Sequence, residues 1–160
     1  MLTIKTAEAT DIPNIAKLLQ KYEQDNNGGL FGNFPLKKVT AMVEEALTVI
    51  IACHDSKVIG VVFASLPQKD LPPILQAMLA VHPITANNYL YGPICIDEEF
   101  RGQGITQLMY QKLQQLLPNF RPLLFIAEDN LDSIRAHHKL GLTEKAKFTF
   151  NGQHFLIFSD

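Results

Sequence analysis

Apolar residues recur along this chain with two different periods, and the changes between them divide it into elements. LTIKTA at the start alternates as a strand would. Ile12, Ile15, Ala16, Leu19 and Tyr22 then fall at helical spacing, with Thr10 or Asp11 available as N-cap. NNGGLFGNFP interrupts the pattern as a glycine-rich loop that leaves Phe31 and Phe34 exposed, and a second helix is predicted over 36–47. TVIIACHDSKVIGVVFAS predicts two strands forming a hairpin between His54 and Lys57. A very apolar short helix follows, with Ile74, Leu75, Met78, Leu79 and Val81, Asp70 as its cap, and Pro72 and Pro73 in its first turn. YLYGPICI is a strand whose Gly92–Pro93 pair does not suit a regular ladder, so a bulge or splay is expected there.

The apolar face of Ile105, Leu108, Met109, Leu113, Leu116 and Leu117 marks a helix stopped by Pro118. A buried strand is predicted over 122–127. Asn130 caps a helix closed by Gly141, and a final hairpin turns at Asn151–Gly152. The order is β-α-α-β-β-(α)-β-α-β-α-β-β. It predicts one α/β (α+β) domain over 1–160 with a mixed, mostly antiparallel sheet flanked by helices. The two strands around the glycine-led helix are expected to be parallel.

That helix raises the first question of chemistry. RGQGIT places Gly102 and Gly104 between a strand and a helix start. The first N–H groups of a helix lack internal partners and carry partial positive charge, and glycine lets an anion approach them closely. The same two glycines are equally consistent with a plain tight turn. Composition narrows the partners. The chain has 160 residues and a net charge of −2, and it has no basic tract, which argues against nucleic acid. The start shows no charged-then-apolar signal pattern, and no apolar run is of membrane-spanning length, so a cytoplasmic protein is expected. The two cysteines, Cys53 and Cys95, lie in strand-like runs and form neither a disulfide framework nor a metal spacing. Cys95 reads as a small core residue rather than a nucleophile.

The element order, RGQGIT after a kinked strand and NLDSIRAHHKLGL after the next strand, resembles the GNAT superfamily of acyl-CoA-dependent N-acetyltransferases over nearly the whole chain. The family's phosphate loop corresponds to Arg101, Gly102, Gln103, Gly104, Ile105 and Thr106, with Thr106 where a small residue is usual. Its second motif corresponds to Asn130, Ser133, His137, Lys139, Leu140, Gly141 and Leu142, with His137 where many members have tyrosine. The resemblance implies a splayed central strand pair and acetyl-CoA as co-substrate, with no metal. The loop amides would hold the pyrophosphate, Arg101 would lie alongside, and Asn130 would bond the pantetheine arm. A backbone N–H among Ile94, Cys95 and Ile96 would polarise the thioester oxygen.

It further implies direct attack by a primary amine of a small molecule or peptide. His137 is then a candidate donor to the leaving thiolate, and Tyr91 and Glu128 are candidates for the remaining proton transfer. Asp97, Glu98 and Glu99 read as a solvated turn. Glu23, Asp25, Phe31 and Phe34 are candidates to wall the acceptor site. The apolar segment at 66–88 is expected to extend the core, ahead of covering the acceptor or forming a homodimer contact. The alternative is a non-catalytic acyl-CoA-binding domain of the same fold. A nucleotide-phosphate binder or plain interaction protein is a weaker alternative, because Ile105 stands where a Walker-type loop needs its lysine.

Overall fold

The computed structural model describes residues Met1–Asp160. β1 (Leu2–Thr6) leads through a single 3-10 turn at Ala9–Asp11 into α1 (Ile12–Lys21). Asp11 occupies the N-cap position of α1, as expected, but its carboxylate turns back to accept the Glu8 N–H at 2.8 Å and so closes the 3-10 turn before the helix. α2 (Leu36–Glu45) stops short of the predicted end. Ala46 is extended, and the Leu47 N–H donates to the Ala64 carbonyl at 2.9 Å, so the chain has already joined the sheet. β2 (Thr48–His54) and β3 (Lys57–Ser65) form the expected hairpin, with Asp55 and Ser56 at φ 49° and 71° in its turn.

α3 (Pro73–Val81) corrects one expectation, since Pro72 rather than Asp70 occupies its N-cap. A proline needs no hydrogen bond at the first helical position, so Pro73 starts the helix without a side-chain cap. β4 (Asn88–Ile96), α4 (Ile105–Leu116), β5 (Arg121–Ala127), α5 (Leu131–Lys139), β6 (Thr143–Phe150) and β7 (Gln153–Ser159) complete the chain. Gly141 at φ 89° closes α5, and Asn151 and Gly152 at φ 50° and 75° make the last hairpin turn.

The strands form one seven-stranded sheet in the order β1-β2-β3-β4-β5-β7-β6. Only β4 and β5 are parallel, joined by the crossover through α4. This is the mixed, mostly antiparallel α/β architecture expected. α4 and α5 cover one face, where Ile105, Met109 and Leu113 pack on Ile50, Ile59, Val62, Leu124, Ile126 and Phe158. On the other face α1 and α2 cover β2 and β3 through Ile15, Leu19 and Val39. α3 covers β5, β7 and β6 on that same face, burying Ile74 and Met78 against Leu123, Phe155 and Ile157. No helix is long and apolar enough to cross a membrane.

The break in the sheet matters most for function. β4 pairs with β3 from Leu90 to Ile96, but Phe63 alone on β3 faces Gly92 and Pro93, a bulge on β4. β4 pairs with β5 only at Asn88, Tyr89 and Leu90, opposite Arg121, Pro122 and Leu123. Past that point the facing edges of 91–96 and 124–127 make no ladder. The strands therefore diverge toward the end that carries the glycine loop.

Candidate functional site

Gly102 and Gly104 adopt φ 78° and 77°, a left-handed conformation that other residues pay strain to reach. Nothing lies within 4 Å of where a side chain would start at either, so open space flanks both. The N–H groups of residues 102–107 have no acceptor within the chain, and α4 adds its dipole behind them. Gly60 lies beneath the head of α4, in the crowded space between Ile96, Ala52 and Ile105. A Cβ there would come within 3.1 Å of the Ile96 Cδ1 and 3.5 Å of the Ile105 Cγ2. Sequence reasoning passed over Gly60; a glycine inside a strand of apolar residues was the available signal.

The turn leading into the loop corrects another expectation. Asp97 is not solvated but only 2% exposed. Its Oδ1 accepts the Tyr22 hydroxyl at 2.8 Å and the Lys21 ammonium at 3.1 Å, with Lys57 3.8 Å from Oδ2. Burial pushes the carboxyl up, but these hydrogen bonds and the lysine charges outweigh it and hold the group below the usual carboxylate value. Glu98 and Glu99 are exposed, as the turn reading expects. The Arg101 Nε–H donates to the Ile96 carbonyl at 3.0 Å, and its guanidinium lies 4.8 Å from the centre of the Tyr22 ring. Neither Tyr22 nor Asp97 was legible as part of this site, because α1 is remote from it in sequence.

Where β4 and β5 part, the structure brings Tyr91 and His137 together. The His137 Nε2 is 3.0 Å from the Tyr91 hydroxyl, and its Nδ1 is 2.7 Å from the Ser133 carbonyl and 3.3 Å from the Ser133 Oγ. A carbonyl only accepts, so the ring proton sits on Nδ1 and Nε2 accepts from Tyr91. His137 is 2% exposed. Burial holds it below the usual histidine value against the opposing pull of the Ser133 bond, and burial pushes Tyr91 well above the usual phenol value. Neutral His137 therefore has no free N–H for a leaving thiolate; the mobile hydrogen at this spot belongs to Tyr91.

Asn130 caps α5, its side chain accepting the Ser133 N–H at 3.3 Å. Ile94 and Ile96 pack toward the α4 face, and Cys95 toward the α1 face. Burial pushes the Cys95 thiol up to about 12, which suits a core residue and not a nucleophile. Thr106 is partly buried in the first turn of α4. Glu128 stands apart from the Tyr91–His137 pair. It is half-exposed, 4.0 Å from Lys147, beside a cleft of about 330 Å³ lined by Lys147, Phe148, Thr149 and His154. A cavity of about 360 Å³ with Tyr89, Tyr110, Arg121 and Asp160 lies at the opposite end of β5 and α4.

The loop after α1 differs from its reading. Phe34 is 3% exposed in the core rather than displayed. The Glu23 carboxylate is engaged by the Phe34 N–H at 2.7 Å. Phe31 reaches across to β5, β6 and β7, edge-on to Phe125, Phe150 and Phe155 at 6.4, 5.9 and 5.9 Å. Asp25 stays exposed.

Comparison with known proteins agrees with the fold. Residues 15–142 match the profile of the acetyltransferase (GNAT) family. Among solved structures, smu.2055 from Streptococcus mutans superposes with a TM-score of 0.77 at 18% identity, covering 99% of this chain and 98% of that one. The ribosomal-protein-S18-alanine N-acetyltransferase of Escherichia coli gives 0.71 at 15% identity over 99% and 92%. The yncA protein from Salmonella typhimurium, in a structure with its cofactor acetyl-CoA, gives 0.73 at 15% identity over 99% and 92%. At these identities the likeness is one of fold. No curated protein sequence matches the chain significantly.

Proposed function

The chain belongs to the GNAT acetyltransferase family, and on that premise we propose that it transfers an acetyl group from acetyl-CoA to a primary amine of a small molecule or peptide. One observation carries the reading: the unpartnered N–H arc of residues 102–107 opens beside the unpaired edges of β4 and β5. The arc suits a pyrophosphate. The strand edge suits an extended pantetheine arm, which adds to it as a further strand would. Backbone N–H groups among Ile94, Cys95 and Ile96 then polarise the thioester carbonyl, and Asn130 borders the arm. The acetyl-CoA complex of the Salmonella protein supports the choice of ligand.

In the reaction the amine nitrogen bonds to the acyl carbon, the C–S bond breaks, and one amine proton ends on the thiolate. Tyr91 and His137 are placed to carry that proton. The Tyr91 oxygen takes it from the nitrogen while passing its own hydrogen to the His137 Nε2, and the Ser133 carbonyl holds the Nδ1–H throughout. The transfer then reverses toward sulfur. A thiol's ordinary pKa is about 8.5 and histidine's about 6.5. Burial lowers the imidazole further, so the proton runs downhill to the thiolate. Glu128, apart from the pair and 4.0 Å from Lys147, has no part in this relay.

Calorimetric titration with acetyl-CoA, with ATP as comparison, tests the reading first. Acetyl-CoA binding with ATP ignored is expected; binding of neither overturns it. Tyr91→Phe then tests the relay. It should lower kcat by about 100-fold or more while leaving acetyl-CoA affinity within about twofold. Undiminished kcat, with chemistry rate-limiting, removes Tyr91 from the mechanism. The second reading, a non-catalytic acyl-CoA binder, is favoured by His137 standing where the family motif has tyrosine. Binding without turnover across a broad amine panel would establish it.

A further inference from the structure

Tyr22 lies at the end of α1, and its hydroxyl is shared between two groups of the segment that feeds the glycine loop. It donates to the Asp97 Oδ1 at 2.8 Å and accepts the Glu98 N–H at 2.8 Å. Its ring carries the Arg101 guanidinium at 4.8 Å, and Arg101 returns a hydrogen bond to Ile96 at 3.0 Å. The Asp97 N–H is tied to the Ile59 carbonyl at 2.8 Å, and its own carbonyl accepts from Phe100 at 2.8 Å. Residues 96–101 are thus fastened to α1 and β3, and none of these bonds uses an N–H of the arc at 102–107. A buried carboxylate carries a desolvation cost that an apolar pair of similar volume would avoid. What the polar pair adds is direction: each bond fixes an angle as well as a distance.

We propose that Tyr22 and Asp97 are positioning residues for the acyl-CoA site, setting the path of residues 98–101 so that the N–H groups beyond converge on the pyrophosphate. They act through Glu98 and Arg101 and do not touch the ligand. This rests on reading the head of α4 as the phosphate site.

The test compares wild type, Tyr22→Phe, Asp97→Asn and the double variant. Acetyl-CoA binding is measured by calorimetry, and binding of S-acetylpantetheine, which lacks the pyrophosphate, by ligand-observed NMR, which reads weak affinities. Tyr22→Phe keeps the ring under Arg101 and removes only the shared hydroxyl. Each single variant should weaken acetyl-CoA by about tenfold, and the double variant should fall within about twofold of the weaker single, since the two act as one unit. S-acetylpantetheine affinity should not change, and the KM for acetyl-CoA should rise with kcat retained. Equal losses for both ligands would mean general loosening of the fold and would overturn the proposal. Should Asp97→Asn fail to fold, Tyr22→Phe decides alone. A wild type that ignores acetyl-CoA sinks the site reading and this inference with it. Wild-type binding with Tyr22→Phe equally tight overturns this inference only.

Discussion

At the scale of single residues, two adjacent glycines make the sharpest contrast. A Cβ on Gly28 would lie 1.9 Å from the Tyr22 carbonyl oxygen and 2.4 Å from its Cα, whereas on Gly29 the nearest atom is the Asn130 Nδ2 at 4.0 Å. Gly28 allows the loop to fold back so closely that its N–H reaches Glu23 at 3.0 Å and the Leu30 N–H reaches Tyr22 at 3.1 Å. Gly28→Ala must open that turn. It should cost at least about 2 kcal/mol in denaturant unfolding, while Gly29→Ala should stay within about 0.5 kcal/mol. The sequence shows only a glycine pair and does not tell its members apart, since the clash is with backbone brought there by the fold. His137 poses the same difficulty. Its motif position was readable from the chain, but its tautomer depends on a carbonyl four residues back in α5 and on a phenol from β4.

At the scale of elements, the strand–turn–helix around RGQGIT was legible because its requirements are local. Glycine is needed where φ is near +80°, and the helix then leaves its own first N–H groups unpaired. Gly104→Glu combines backbone strain at φ 77° with a carboxylate beside that arc. Acetyl-CoA binding should fall by at least about tenfold in calorimetry. Gly104→Asn, which tolerates the left-handed region, should retain most of it. If Gly104→Glu binds as tightly as wild type, the phosphate site lies elsewhere. The kink at Gly92–Pro93 was legible as a disruption for the same local reason, although which neighbour would lose its pairing was not. The Asp70 cap failed because prolines at 72 and 73 already satisfy the start of α3, and the 36–47 helix ran long because the sheet recruits Leu47.

At the scale of the whole molecule, the buried ionisable groups tie stability to pH. His137 has a lowered value in the folded state. Below its ordinary value of about 6.5 the unfolded chain therefore takes up a proton that the native state refuses. Its contribution is complete above that pH and is lost as pH falls toward the folded value. Asp97 is also lowered, so its contribution is present above about pH 4 and disappears as pH falls through its folded value. Urea midpoints should drop between about pH 7.5 and about pH 5.5, and this drop should shrink in His137→Gln. An unchanged drop would mean that His137 is not the group responsible. The order of elements, their periods, the turns and the glycine-led helix follow from the sequence alone, because each depends on neighbours within a few positions. The tertiary structure decided that α1 anchors the turn before the phosphate loop, that Asp97 is buried, that Phe34 is core, and that Tyr91 meets His137. Each of those joins side chains from separate elements, and only the packing of the sheet between its helices brings them into contact.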